Sequence, residues 1–376
     1  MENIHEPNQE ARPLRVLMAG SGTAGPVIPL VAIVQELRAR HIVFEALFLG
    51  TASGPEQEIV EKAQIPFKVF PAGKLRRYVS LKTIPDGFRV VWAFFRALGL
   101  IARWDPDVFV SAGGFIAPPV AWACWLLGVP VLLHQQDAVP ILSDKLMMRI
   151  ASRITVTFEA SLERFPAHKT VWTGNPVRAD LAQGDSVRGR KRFEFGLAKP
   201  TILCMGGGTG AQALNDAVLA ALPELLPTTN VLHLTGKGKL PERDLESLQV
   251  EGVDVSGYRA YEFLHEEMAD AYALAEVVVA RGGFSTLTEL AFLQKPAIIV
   301  PLPDSPQERN AEVFEQRGAV RVLAQNNLTA RSLSAAVLSL LGDEGGKSEL
   351  SHRIGKSMKS GATGALVDEV LALASR

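Results

Sequence analysis

Cysteine is nearly absent: Cys124 and Cys204 are the two thiols of 376 residues, each inside an apolar stretch. So small a supply excludes a disulfide framework and a thiolate metal site, and it fits buried thiols in a reducing cytoplasm. The seven histidines show no H-x-x-x-H or similar spacing. Asp105 and Asp107 are spaced like a carboxylate ligand pair, but Pro106 splits them and they precede a strand, at the end away from a ligand edge. No metal is therefore expected. A long unbroken apolar run is missing as well. Residues 108–133 carry no charge over a bilayer's length, yet Gly113-Gly114, Pro118-Pro119, Gly128 and Pro130 cut them into strand, turn, helix and strand. Residues 1–13 are polar and acidic and lack the basic-then-apolar order of a secretion signal, so a lead-in without fixed structure is expected.

Acid is scarce in one place. Residues 62–103 hold nine Lys and Arg against Asp86 alone. Over residues 1–178 the count is 19 basic to 15 acidic, or +4, and the chain's net −1 leaves −5 for the remainder. An anionic partner for the first half is the natural reading.

What is present in quantity is glycine after short apolar strands. Gly20-Ser21-Gly22-Thr23-Ala24-Gly25 follows one such strand, and Gly206-Gly207-Gly208-Thr209-Gly210 follows another about half the chain later. A strand that opens through glycines into a helix leaves backbone N–H groups unpaired at the positive end of the helix dipole, which suits phosphate. Strands are expected at 15–19, 46–49, 108–111, 131–134 and 154–158, then at 201–205, 231–234, 277–280, 297–300 and 319–323. Helical patterns at 28–40, 211–222 and 287–293 complete βα units. The fold class is α/β: two doubly wound parallel sheets facing across a cleft, with ligand at the carboxyl ends of the strands. Residues 183–199, charged and weakly patterned, are expected to link the two domains.

Four runs carry candidate chemistry. After strand 277–280, Arg281-Gly282-Gly283-Phe284-Ser285-Thr286-Leu287-Thr288-Glu289 turns through glycines into a helix. Glu289 could accept from a ribose diol, or it could be an acid favoured by the helix start. Arg178, in Thr173-Gly174-Asn175-Pro176-Val177-Arg178, could clamp a diphosphate bidentately or form a surface ion pair. His134-Gln135-Gln136-Asp137 puts polar side chains at a strand's carboxyl end. Finally, Arg89, Arg96 and Arg103 fall on one face of an apolar helix at 88–104, shortly after Lys74-Leu75-Arg76-Arg77-Tyr78. An arginine stripe on a core helix and a helix resting on an anionic bilayer both fit, and the nine-to-one charge ratio favours the bilayer.

Taken in order, these residues resemble the MurG glycosyltransferases, from Leu14 to the C-terminus. The resemblance rests on Gly22-Thr23-Ala24-Gly25, Ser111-Ala112-Gly113-Gly114-Phe115, Leu133-His134-Gln135-Gln136-Asp137, 173–178, 206–215, 280–290 and Gln307-Glu308-Arg309-Asn310-Ala311. It implies a GT-B fold with an N-terminal acceptor and membrane domain (14–182), a linker (183–199), a donor domain (200–355) and a C-terminal helical segment (356–376) that returns to the N-domain. The implied activity is inverting, metal-independent transfer of N-acetylglucosamine from UDP-GlcNAc to undecaprenyl-pyrophosphoryl-MurNAc-pentapeptide, at the cytoplasmic side of the inner membrane, with no cofactor. A UDP-GlcNAc 2-epimerase-like enzyme and a non-catalytic donor- or membrane-binding subunit are the alternatives. By the same resemblance, Gly208, Thr209 and Arg178 meet the diphosphate. Phe284, Ser285, Thr286, Leu287, Thr288 and Glu289 hold the nucleoside, with Glu289 on the ribose. The backbone near His265 meets uracil, Gln307 meets the sugar, and Thr23, Ala24, Gly25 and Asp137 approach sugar and acceptor. Leu75, Arg76, Arg77, Tyr78, Phe88, Arg89 and Trp92 form the membrane face. The sequence departs from the family at Pro26, where a histidine is usual, and at Gln135 and Asp137, where Glu and Asn are usual. Asp137, the one carboxylate at a matching position, is the expected base.

Overall fold

The computed structural model describes residues 12–21, 25–52, 54, 56–71, 83–207 and 211–375. The first half alternates β1 (Leu14–Ala19), α1 (Ile28–Ala39), β2 (Phe44–Gly50), α2 (Glu56–Lys62), β3 (Phe67–Val69), α3 (Thr83–Trp104), β4 (Val108–Ser111) and α4 (Ala117–Leu126). It continues with β5 (Val131–Gln135), α5 (Leu142–Met147), β6 (Arg153–Val156) and β7 (Thr170–Trp172). After α6 (Ser186–Arg192) the second half runs β8 (Thr201–Met205), α7 (Gln212–Leu225), β9 (Asn230–Leu234), α8 (Glu242–Val250), β10 (Tyr258–Tyr261), α9 (Met268–Leu274), β11 (Ala275–Ala280) and α10 (Phe284–Phe292). It ends with β12 (Ala297–Ile299), α11 (Pro306–Gln316), β13 (Arg321–Val322), α12 (Ala330–Leu341), α13 (Glu344–Gly355) and α14 (Ala362–Ala374).

Both sheets are parallel and doubly wound, in the orders β3-β2-β1-β4-β5-β6-β7 and β10-β9-β8-β11-β12-β13. The order reverses between β1 and β4 and between β8 and β11, which opens the ligand crevice of such sheets beside each glycine loop. The uncharged run of residues 108–133 is β4, α4 and β5, and among the described residues no helix is long and apolar enough to cross a membrane.

On the first sheet, α3, α4 and α5 cover one face through Ala93, Ile101, Val120 and Met147. The other face packs on α1 and α14 through Leu30, Val34, Leu366 and Val370. The C-terminal helix thus lies on the first sheet, and its Asp368 and Glu369 pair with Arg40 and Arg153. Residues 183–199, expected to be weakly patterned linker, are packed instead. Phe193 and Phe195 are buried in the core of the second sheet, and Arg188 pairs with Asp270 of α9. Close approach is possible because position 184 lacks a side chain: a Cβ on Gly184 would lie 2.0 Å from the Ala269 carbonyl oxygen. The strands β3, β7 and β10 were not anticipated; they are three or four residues long at or beside sheet edges, with half-exposed side chains and therefore little apolar signal.

Candidate functional site

The carboxyl ends of the two sheets face each other, and four polar residues join them. The hydrogen-bonding pattern fixes one direction of donation. Thr155 donates to His134 Nδ1 (2.9 Å), His134 Nε2–H to Asn175 Oδ1 (2.8 Å), Asn175 Nδ2 to Thr288 Oγ1 (2.7 Å), and Thr288 to the Phe284 carbonyl (2.9 Å). All four are buried. Burial pushes the His134 pKa down to about 4, against the Asn175 bond, so the imidazole is neutral at physiological pH and holds the cleft together. Beside this chain Phe158 meets Phe284 edge to face, with ring centroids 4.9 Å apart. Two further contacts cross the cleft: Ser285 Oγ donates to the Gly25 carbonyl (3.2 Å), and His265 Nε2 meets Glu58 Oε1 (3.2 Å).

These contacts sort the expected site residues. Phe284, Leu287 and Thr288 point into the packed interior, whereas Ser285, Thr286 and Glu289 are half-exposed. No side chain caps α10 at Gly283, which leaves the N–H groups of its first turn available. Glu289 Oε2 accepts from the buried Tyr272 hydroxyl at 2.7 Å, so Oε1 is the oxygen open to a ligand. Burial raises the Glu289 pKa, offset in part by the Tyr272 bond and by the nearby Arg178 charge. Arg178 is held by both oxygens of Asp180, at 3.1 and 2.5 Å. The His265 backbone N–H donates to Glu267 Oε2, and its carbonyl accepts from Met268. Gln307 Oε1 accepts from the Leu302 N–H, tying the α11 start to the preceding loop. Gly282 permits that placement, since a Cβ there would lie 2.8 Å from the Gln307 carbonyl oxygen. Thr23, Ala24, Gly208, Thr209, Leu75, Arg76, Arg77 and Tyr78 lie outside the described residues.

On the opposite wall, the base of the first glycine loop is pinned by 111–114. Ser111 Oγ donates to the Ala19 carbonyl, and Gly114, at φ +95°, lies where a Cβ would be 2.6 Å from Ser21 N. Asp137 ends this wall. Its Oδ1 accepts from Asn310 Nδ2 (2.9 Å) on α11, while Asn310 Oδ1 accepts the Ala138 N–H (3.1 Å). Asp137 Oδ2 has no hydrogen-bond partner among the described residues. Burial raises the Asp137 pKa, with the Asn310 bond opposing.

Two features were not singled out from the sequence. Asp144, 3% exposed, caps α5 by accepting the Ile141 N–H at 2.9 Å; burial, reinforced by the Asp137 charge, lifts its pKa to about 7. Its position one turn into a short helix after a strand end was the available signal. The second is a set of exposed apolar side chains on the packed pair α3 and α4: Phe88, Val91, Trp92 and Phe95 on α3, and Trp125, Leu126 and Leu127 at the end of α4.

Residues 16–156 match the glycosyltransferase family 28 N-terminal domain, and residues 201–363 match the family's C-terminal domain. A relative from Bacillus cereus, named UDP-N-acetylglucosamine--N-acetylmuramyl-(pentapeptide) pyrophosphoryl-undecaprenol N-acetylglucosamine transferase 2, is 39% identical over 85% of this chain and 89% of its own. A Lachnospira eligens relative of the same transferase name is 37% identical over 88% of this chain and 91% of its own. The solved structure of Acinetobacter baumannii MurG is similar with a TM-score of 0.70 and 26% identity, covering 96% of this chain and 100% of that one.

The Asp144 environment yields a stability prediction. A carboxyl whose folded pKa lies above its unfolded value stabilises the fold fully below about pH 4, and that contribution is lost as pH rises through about 7. Asp144→Asn keeps an acceptor for Ile141 and removes the charge. It should gain on the order of 2 kcal/mol over the parent at pH 8 and nothing at pH 4. Urea unfolding at both pH values checks this; an equal difference at the two would show that Asp144 does not titrate in that range.

Proposed function

The chain belongs to glycosyltransferase family 28, and from that premise we propose that it transfers N-acetylglucosamine, with inversion, from UDP-GlcNAc to undecaprenyl-pyrophosphoryl-MurNAc-pentapeptide. The observation that carries this reading is the opposition of two groups across one cleft. Arg178 and Glu289 stand on the side of the second sheet, and Asp137 lies just past the carboxyl end of β5 in the first. The relatives' names supply the substrates.

In this reading the ribose hydroxyls bind Glu289 Oε1, whose partner oxygen is fixed by Tyr272. Arg178 exchanges Asp180 for the diphosphate, and the uncapped N–H groups of α10 add positive potential. Asp137 Oδ2 takes the proton of the acceptor hydroxyl as its oxygen attacks the anomeric carbon. The bond from that carbon to the UDP oxygen breaks on the opposite face, and the electron pair leaves on UDP. A pKa raised by burial strengthens Asp137 as a base, and Asn310 holds it in place. Gly208 and Thr209 act on the diphosphate, His265 on uracil, Gln307 on the donor sugar, and Thr23, Ala24 and Gly25 on the acceptor side.

We place the enzyme on an anionic membrane surface through α3 and α4. Phe88 is 73% exposed, Phe95 63% and Trp125 58%, far more than large apolar side chains on a solvated face need. Arg96 stacks over Trp92, and Arg89 lies on the same helix.

Four measurements test this. Asp137→Asn should abolish sugar transfer to a lipid I analogue and leave UDP-GlcNAc affinity nearly unchanged; near-parental turnover removes Asp137 from the role. Donor incubated alone should give no UDP-ManNAc, whereas its appearance would favour an epimerase, and an inactive parent chain a non-catalytic subunit. Glu289→Ala should weaken UDP binding about tenfold to a hundredfold, because loss of a charge-assisted bond costs roughly 1–3 kcal/mol. Unchanged affinity would show that Glu289 serves Tyr272 only. The double variant Trp92→Ser, Trp125→Ser should lower sedimentation with anionic vesicles at least about tenfold and spare UDP binding; undiminished vesicle binding would show the α3–α4 face to be idle.

A further inference from the structure

Outside the cleft, the first domain holds an open cavity of about 580 Å3, lined by Pro140, Lys145, Leu146, Met148, Arg149 and Arg164. Its lining contains three cations and no carboxylate. None of the three side chains is in an ion pair among the described residues. Lys145 lies on α5 and Arg149 in the turn that follows it, four positions on. Arg164 reaches the cavity from the turn after β6. All three side chains are exposed to solvent, and like charges gathered around one hollow raise the local concentration of anions there.

The other walls narrow the choice of anion. Pro140, Leu146 and Met148 are apolar, which free phosphate does not require but a phosphate ester on a hydrocarbon chain does. Helix α5 lies on the same sheet face as α3 and α4, and Trp122 Nε1 of α4 donates to the Leu146 carbonyl (3.3 Å). The cavity therefore shares its layer with the exposed apolar side chains of Phe95 and Trp125. At its other edge Pro140 is three residues from Asp137, at the mouth of the cleft.

We infer that this cavity seats the diphosphate of an isoprenoid-type lipid diphosphate. Lys145, Arg149 and Arg164 meet the phosphate oxygens, and the apolar walls meet the first carbons of the chain. The inference deepens, and rests on, the reading of the acceptor as a diphosphate-linked lipid. It gives that acceptor a head-group site outside the glycine loops, from which its sugar extends toward Asp137.

The test uses the full chain and the double variant Arg149→Gln, Arg164→Gln, both exposed positions. Farnesyl diphosphate binding is measured without donor, beside inorganic pyrophosphate and anionic phosphatidylglycerol vesicles. The parent should bind farnesyl diphosphate more tightly than pyrophosphate, and the variant should lose about tenfold or more for both, since two charge-assisted contacts are gone. The variant's KM for the lipid acceptor should rise, with UDP affinity and the KM for UDP-GlcNAc unchanged, which also shows an intact fold. Equal farnesyl diphosphate affinity in parent and variant overturns the assignment. So does a parent that binds none, or a variant defective toward vesicles alone. If the parent fails to glycosylate lipid I while the variant still loses farnesyl diphosphate, the acceptor reading falls and the cavity assignment stands.

Discussion

The hydrogen-bonded chain from Thr155 through His134 and Asn175 to Thr288 is the constraint on which the cleft depends. Each member is buried, so each unmade bond would cost the full desolvation of a polar group. Satisfied in one direction only, the chain sets the register of β5 and β6 against α10. A neutral imidazole is required for it, because His134 must accept at Nδ1 while donating at Nε2, and burial keeps the ring neutral. The Phe158–Phe284 contact fills the apolar part of the same junction.

With α10 fixed in this way, its remaining side chains have defined places. Thr288 and Glu289 are consecutive, so anchoring one across the domain junction orients the other on the adjoining face. Tyr272 then holds one oxygen of Glu289 and leaves one open. Asn310 performs a parallel task from α11: a single amide holds Asp137 Oδ1, the Ala138 N–H and the Gly282 carbonyl, joining the two walls. The site is thus built from groups whose neighbours are already committed, which is how a charge is kept in position without water to support it.

The parts of this arrangement legible in the sequence were the local ones. Continuous Val, Ile and Leu runs announced β1, β4, β5, β8 and β11, and glycines following β1 and β8 announced the crevices. The ordered motifs shared with the MurG glycosyltransferases pointed to the family. What could not be read was commitment. Asn175 and Thr288 are 113 positions apart, and Asp137 and Asn310 are 173 apart, so no local pattern distinguishes a residue that faces ligand from one that spans the domains. Phe284 and Thr288 are of the second kind, whereas Glu289, within a single helical turn and a half, bonds Tyr272 of its own domain. The packing of 183–199 was hidden for a related reason: its signal is two phenylalanines and a glycine whose partners lie on α9 and the second sheet, not a periodic pattern.

The first domain divides its surface by sheet face. The face under α1 and α14 is sealed by the returning C-terminal helix, whose Asp368 and Glu369 neutralise Arg40 and Arg153. The face under α3, α4 and α5 has no such cover, and it is where the exposed aromatics and the cations Lys145, Arg149 and Arg164 gather. One chain thus supplies acids where a helix of its own must dock and withholds them where residues 62–103 carry their nine-to-one excess of base. An intramolecular partner can be matched residue by residue, whereas a fluid anionic layer offers no fixed positions to match. A field of one sign with apolar side chains set into it is the arrangement that binds such a layer in any orientation of its lipids. On the membrane placement proposed above, the charge asymmetry of the sequence follows from that difference between a fixed partner and a fluid one.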